Sequence, residues 1–277
     1  MQFNNENERV FRERFRGIED KIIKALFDKS PILQRSKIYQ MKGKLQLPYY
    51  DITNKRIAMK LVGDPAPSVG EFKFIVLDGY LGRARYLIPL KLIRDAQFPI
   101  VDFIVKEIVD TISSFIENEI LNGTEGKIEG LSKLENKITS AASNDITADE
   151  IIDLQGKVID ENDAIWIMHP YTSQVLRRLK DNAGRYLLEP YYDITGSFSS
   201  TLLGRPVYVS DNMPKMESGK TAIYYGDISG LAVKISDIEF SIDKENYISS
   251  NAAGVFVFLK FDAKVRDPQK IAKLVMC

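Results

Sequence analysis

The stretch that most constrains the fold of this chain is residues 165–214, which read as a strand, a helix, a turn and a second strand. Its first four residues are apolar, and Pro170 ends the run because proline has no N–H to give to a sheet. Thr172 or Ser173 is the expected cap of the helix that follows, and Gly184 is its expected stop. This alternation predicts a fold of the α+β class.

Residues 98–121 carry the strongest helical pattern in the chain. Their apolar positions recur every three or four residues, which is typical of one long amphipathic helix. These positions are Val101, Ile104, Val105, Ile108, Ile112, Phe115, Ile116 and Ile120. Pro99 suits the first turn and Asn122–Gly123 supplies the stop, so we predict a helix roughly 36 Å long.

Residues 44–92 are predicted to form β structure, with turn residues between the first two strands. The expected strands are Arg56–Val62, Glu71–Leu77 and Arg83–Leu90. Phe72, Phe74 and Val76 fall on alternate positions, so one face of the second strand requires burial. An isolated two-stranded hairpin is marginal in water. We therefore expect this loop to become ordered by lying on another subunit.

Three further segments have clear patterns. Residues 6–27 predict an amphipathic helix, either packed on its own domain or extended as an arm. Asp145 or Thr147 is the expected cap of a short polar helix. Residues 255–265 alternate with period two, which predicts a long strand that runs back to the long helix.

The composition limits the possible partners and compartments. The 277 residues include 38 basic and 38 acidic side chains, and this balance argues against tight binding of nucleic acid along the surface. Cys277 is the only cysteine, so an intrachain disulfide and a cysteine metal site are excluded. No apolar run approaches 18 residues and no signal peptide is apparent, so we expect a cytosolic protein without a membrane partner.

The residues that could carry chemistry are better explained by structure. His169 is the only histidine, and its place between Met168 and Pro170 favours a hydrogen-bonding turn residue. Residues 122–126 follow a helix instead of preceding one, so we interpret them as a turn and not as a phosphate loop. Acidic residues 149, 150 and 153 lie at helical spacing on a solvated face. We expect no catalytic residue, no metal and no cofactor.

Five segments, in this order, resemble the major capsid proteins of tailed double-stranded DNA phages, the Hong Kong ninety-seven type. Within residues 165–214, IWIMHP, LKDNAGR and LLGRPV resemble a strand end, a helix end and a strand of that family. The other segments are LGRARYLIPLKLIRDA at 81–96, ILNGTEGKIEGL at 120–131, YGD at 225–227 and the final strand at 253–268.

This resemblance implies an N-terminal arm, an extended β-hairpin loop, a peripheral domain built on a spine helix, and an axial domain. The expected bounds are 1–43 for the arm, 44–92 for the loop, 93–137 and 247–277 for the peripheral domain with its spine helix at 98–121, and 138–246 for the axial domain.

The resemblance also implies a structural role without enzymatic activity. Copies would assemble through pentamers and hexamers into an icosahedral shell around double-stranded phage DNA, without sequence-specific binding. Scaffolding, portal and maturation proteins would be the other partners, with assembly in the host bacterial cytoplasm and residence in the virion capsid.

Contacts between subunits are expected from charged loop residues and apolar arm residues. They are Lys60, Asp64, Glu71, Lys73, Arg83 and Arg85 on the loop, and Phe11, Phe15, Ile18 and Ile22 on the arm. Ordinary solvation of strand edges is the other explanation of the charges. Two other functions stay open at this point: an encapsulin-type bacterial shell around cargo protein, and, from another class, an enzyme or small-molecule-binding domain.

Overall fold

The computed structural model describes residues 29–50, 72–89, 91, 100–159, 163–180, 183–190, 200–243 and 246–277. Within these ranges, the strands are β1 Lys37–Gln40, β2 Leu45–Tyr50, β3 Phe72–Leu77, β4 Tyr80–Pro89, β5 Lys137–Thr139, β6 Ile165–Met168, β7 Leu188–Pro190, β8 Ser200–Leu202, β9 Arg205–Val209, β10 Thr221–Gly226, β11 Leu231–Asp243, β12 Ala252–Val265 and β13 Ile271–Val275. Both helices and strands are well represented, so the expected α+β class is confirmed.

The helices of the described chain are α1 Pro31–Arg35, α2 Ile100–Asn122, α3 Ala148–Gln155 and α4 Pro170–Leu176, with short 3-10 turns at Ile228–Gly230 and Ile248–Ser250. Helix α2 is the predicted long helix, and it ends as expected, with the Gly123 N–H on the Glu119 carbonyl at 3.0 Å. Thr147 caps α3. Its side chain accepts from the Glu150 N–H, and the Glu150 side chain accepts from the Thr147 N–H.

A four-stranded sheet in the order β1-β11-β12-β4 packs one face on α2. The alternation predicted for the last long strand is observed in β12. Its inward residues join the buried apolar residues of α2 in one core, which includes Ile104, Ile108, Ile112, Ile116, Val255, Val257, Leu259 and Phe261. The residues of β12 that alternate with these inward ones point to the opposite face of the sheet, which is called the outer face below.

A seven-stranded sheet in the order β5-β13-β10-β6-β9-β8-β7 forms the second layer. Trp166 is fully buried there, with its ring centroid 4.0 Å from that of Tyr225. The Trp166 indole N–H donates to the Leu202 carbonyl at 2.9 Å. The indole therefore has a polar partner inside an otherwise apolar core.

The two sheets exchange strands across the expected boundary between domains. Strand β11 lies within residues 138–246 but pairs with β12 of the four-stranded sheet. Strand β13 lies within residues 247–277 but pairs with β10 of the seven-stranded sheet. The division into peripheral and axial domains stays a prediction, and sheet pairing cuts across the bounds expected from the sequence.

The cap of α4 differs from the expectation. His169 caps this helix, with its Nδ1 accepting from the Tyr171 N–H at 2.9 Å, whereas Thr172 and Ser173 are buried inside the helix. Pro170 occupies the first turn and has no N–H, so the helix begins three or four residues earlier than predicted. It also ends at Leu176, well before Gly184. The interpretation of His169 as a hydrogen-bonding turn residue is confirmed.

Candidate intersubunit surface

The hairpin formed by β2 and β3 is a separate two-stranded sheet. Phe74 and Val76 lie on one of its faces, and they are 56% and 42% exposed. These are two of the alternating residues whose pattern requires burial, yet no described part of the chain covers them. Because two strands alone are marginally stable in water, the hairpin presents an apolar face that a second molecule can cover.

Strand β4 lies at the edge of the four-stranded sheet and has its own exposed side chains. Leu81, Arg83, Arg85 and Leu87 all project from the outer face, and the two leucines are each 45% exposed. Arg83 and Arg85 lie directly opposite the β12 residues 258 and 256, which are phenylalanines. An edge strand of ten residues with apolar and cationic side chains is a feature of interaction surfaces.

The structure describes three of the charged residues expected to contact other subunits. Arg83 and Arg85 share one face of β4, and the Arg85 Nη1 donates to the Tyr247 hydroxyl at 3.4 Å. Lys73 is exposed on β3, opposite Tyr49 in the hairpin. The remaining predicted contacts lie outside the described residues: Lys60, Asp64, Glu71, Phe11, Phe15, Ile18 and Ile22.

A polar cluster, called the Glu117 cluster below, joins the N-terminal segment, the long helix and the second sheet. The Glu117 side chain of α2 is buried, with the residue only 5% exposed. It accepts from Ser30 Oγ at 2.9 Å, from the Tyr208 hydroxyl at 3.0 Å and from Asn212 Nδ2 at 3.4 Å, and also from Ser210 Oγ. Burial raises the pKa of the Tyr208 hydroxyl, and the charge of Glu117 and its hydrogen bond raise it further. Sequence patterns do not reveal this cluster, because its members are separated by about ninety residues.

Two buried polar residues of the four-stranded sheet were also not predicted from the sequence patterns. Lys234 on β11 and Asp262 on β12 lie directly opposite each other, and they are 3% and 1% exposed. The available signal is Lys234, which interrupts the apolar run LAVKI; Asp262 falls at a polar position of the alternating strand KFDAK and gives no signal. Both side chains contact the base of the hairpin.

The residues that could carry chemistry occupy a turn and a solvent-exposed helix face. Asn122 ends α2 and residues 123–126 form a turn after it, as predicted, and Asp149 and Asp153 are exposed on α3. Among the described residues, no three His, Cys, Asp or Glu side chains are grouped so that they could hold a metal ion. In the same part of the chain, no helix has the length and apolar character needed to cross a membrane.

Exposed apolar and cationic side chains therefore lie on the hairpin and on the edge strand β4. A family model described as the phage capsid family matches residues 16–276, so the chain belongs to the phage capsid family. It is a major capsid protein, a structural subunit of an icosahedral virion shell and not an enzyme.

Solved structures share this fold at low sequence identity. The capsid of a native GTA particle superposes with a TM-score of 0.68 and 16% identity, over 88% of this chain and 89% of that chain. A chain of Gordonia phage Cozz superposes with a TM-score of 0.63 and 15% identity, over 89% and 86%. One of Mycobacterium phage Bobi gives 0.63 and 12%, over 90% of each chain. A comparison with curated protein sequences finds no match.

Proposed function

We propose that this protein assembles through pentamers and hexamers, with the hairpin of each copy lying on a neighbouring subunit. The exposed apolar face at Phe74 and Val76 is the observation that carries the proposal. Full burial of an exposed side chain of this size gains about 1.5 to 3 kcal/mol, and these two are about half exposed, so covering them gains roughly 1 kcal/mol each. A subunit in a shell contacts several neighbours at once. Once one contact has formed, the others form at high effective concentration, so modest gains together hold the subunit in place.

The basic edge of β4 supports charged contacts between copies. Arg83 and Arg85 are exposed beside the two exposed leucines, so a neighbour can meet cationic and apolar groups on one strand. Exposed ion pairs contribute about 0 to 1 kcal/mol each, so they set the register of the contact more than its strength. Lys60, Asp64, Glu71 and Lys73 on the loop, and Phe11, Phe15, Ile18 and Ile22 on the arm, complete the proposed contacts.

The shell is proposed to enclose double-stranded phage DNA without reading its sequence. The balance of 38 basic and 38 acidic residues supports enclosure over tight wrapping, because phosphate neutralisation requires a basic excess. Scaffolding, portal and maturation proteins are the proposed partners, and the host bacterial cytoplasm is the proposed place of assembly. The proposed division is an arm at 1–43, a loop at 44–92, and peripheral and axial domains that share strands β11 and β13 across their boundary.

The test is the mass and shape of the purified full-length protein, measured by sizing chromatography with light scattering and by negative-stain imaging. We expect particles of megadalton mass from the native sequence. The double variant Phe74→Ser, Val76→Ser is expected to fold but to lower the particle fraction about tenfold, since every subunit loses the same contact.

The control is Ile152→Ser, which removes an isoleucine that is 54% exposed on α3, away from the hairpin. This variant is expected to assemble normally. If the native protein stays a single copy at every concentration and salt tested, the proposed assembly is wrong. If the hairpin variant and the control lose particles equally, the hairpin is not the specific contact. Particles that hold protein cargo and no DNA contradict the proposed contents.

A further inference from the structure

The hairpin meets the four-stranded sheet at two stems, Gly43 before β2 and Asp78 after β3. Lys234 bonds to both stems, and Asp262 bonds to the second one. The Lys234 Nζ donates to the Gly43 carbonyl and to the Asp78 carbonyl, the latter at 2.8 Å. The Asp262 Oδ2 accepts from the Asp78 N–H at 2.8 Å. Backbone groups of the hairpin therefore receive bonds from both members of the pair.

The pair is buried although it belongs to the outer face of the sheet. Lys234 and Asp262 lie directly opposite each other, and the stems of the hairpin lie against both side chains. Within the described chain, the Asp262 Oδ1 is buried and has no hydrogen-bond partner. A buried polar pair with an unpartnered oxygen lowers stability relative to apolar residues. Its retention is explained if it serves the hairpin and not the core of the sheet.

The backbone of the second stem fits the same two side chains. Gly79 follows Asp78 with a φ of +96°, a conformation that residues with a Cβ rarely adopt. A Cβ at this position would lie 3.4 Å from the Lys234 Nζ, in direct contact with the ammonium group. Glycine therefore allows the stem to turn sharply and to pass close over the pair.

A second contact at the stem is weak by comparison. Lys44 and Asp78 form an ion pair at 3.1 Å, but their side chains are 73% and 51% exposed. Exposed pairs of this kind are screened by water and salt and contribute little. The contacts of the buried pair are therefore stronger than the exposed ion pair between Lys44 and Asp78.

We propose that Lys234 and Asp262 form a latch, which sets the angle at which the hairpin leaves the body of the subunit. The latch fixes both stems through backbone groups, so it acts whatever residues the hairpin itself carries. Its consequence in a shell rests on the proposed function: the angle decides where the Phe74 and Val76 face meets the neighbouring copy. Release of the latch frees the hairpin while the four-stranded sheet stays folded.

Amide hydrogen exchange of the unassembled full-length protein, followed by mass spectrometry, tests the latch. In Lys234→Met and in the milder Asp262→Asn, the peptides that cover β2 and β3 are expected to exchange about tenfold faster, because local opening sets their rate. The peptides that cover β11 and β12 are expected to keep their native exchange. Lys234→Arg, which retains donors, is expected to restore part of the protection.

The matched control is Lys273→Met, which removes a buried lysine from β13 of the seven-stranded sheet. The Lys273 Nζ donates to the Ser132 carbonyl at 2.6 Å, so this variant removes the same kind of contact, and we expect it to leave the exchange of the hairpin unchanged. The latch is refuted if both hairpin strands exchange as in the native protein. It is equally refuted if β11 and β12 lose protection together with the hairpin, since the pair then supports the sheet. Neither result depends on particle formation, so failure of the latch and failure of the proposed assembly are separable.

Discussion

Removal of the Glu117 carboxylate tests whether the Glu117 cluster holds the subunit together. Glu117→Ala deletes the acceptor of three hydroxyl groups, those of Ser30, Tyr208 and Ser210. All of these lie in the interior or at its border, and the replaced residue is only 5% exposed. The hydroxyls then have to find other partners or remain unbonded.

The expected loss follows from the cost of unpaired buried groups. Each buried donor left without a partner costs about 1 to 3 kcal/mol. Hydroxyls can rotate and water can fill part of the space, so the low end of this range applies to each of the three. The sum is a loss of about 3 to 5 kcal/mol in the free energy of unfolding, in line with the removal of other buried charged partners. Glu117→Gln keeps one acceptor oxygen and is expected to lose about 1 to 2 kcal/mol.

The assay is urea denaturation of the unassembled protein, followed by the fluorescence of its single tryptophan. Trp166 is fully buried in the seven-stranded sheet and reports the loss of that core. Glu107→Ala is the control, since it makes the same substitution at a half-buried position of α2. It is expected to change the free energy of unfolding by about 0.5 kcal/mol or less.

Three results would refute this reasoning. If Glu117→Ala unfolds at the same urea concentration as the native protein, the cluster does not contribute to stability. If Glu117→Gln is as damaging as Glu117→Ala, the loss comes from the charge and not from the number of acceptors. If Glu107→Ala loses as much free energy of unfolding as Glu117→Ala, the effect comes from the substitution in the helix and not from the cluster.

Two further predictions concern the turn at the end of β10. Gly226 has a φ of +142°, and a Cβ there would overlap the carbonyl oxygen of Lys270, so Gly226→Ala is expected to cost about 3 kcal/mol or more in urea denaturation. Gly219→Ala, with a φ of +74° and open space around it, is the control and is expected to cost about 1 kcal/mol; equal losses would contradict the argument from close contact. Burial raises the pKa of the Asp227 carboxyl, but hydrogen bonds from Lys270 and Ser229 outweigh it and hold this pKa below its usual value. A depressed folded-state pKa gives stability that is present above the unfolded-state pKa and is lost as the pH falls through the folded-state pKa. Asp227→Asn should therefore reduce the loss of stability on acidification below about pH 4, and an unchanged acid profile would contradict this.

Much of the fold could be predicted because its longest elements carry regular patterns. The apolar spacing of α2 and the alternation of β12 each identify one element and its buried face. Thr147 and Gly123 mark helix ends through local hydrogen bonds, which depend on nearby residues alone. The family could also be predicted, since short segments resemble it in the correct order, and this prediction is confirmed.

The cap of α4 and the partition of strands could not be predicted as well. A proline at the first helical position moved the cap to His169, a residue outside the usual capping set. The pairing of β11 with β12 and of β13 with β10 joins segments that local patterns place in different units. Such pairing depends on which strand edges come together in the folded chain, and the alternation of residues along one strand does not predict its partner.

By itself, the sequence determined the type and the buried face of the main elements, and the family to which the chain belongs. These properties depend on residue order at short range, where periodicity and turn residues act. The tertiary structure alone decided that Phe74 and Val76 stay exposed, that Glu117 gathers donors from three segments, and that Lys234 and Asp262 hold the hairpin. Each of these is a contact, or the lack of one, between residues far apart in the chain, so it exists only after the sheets have packed.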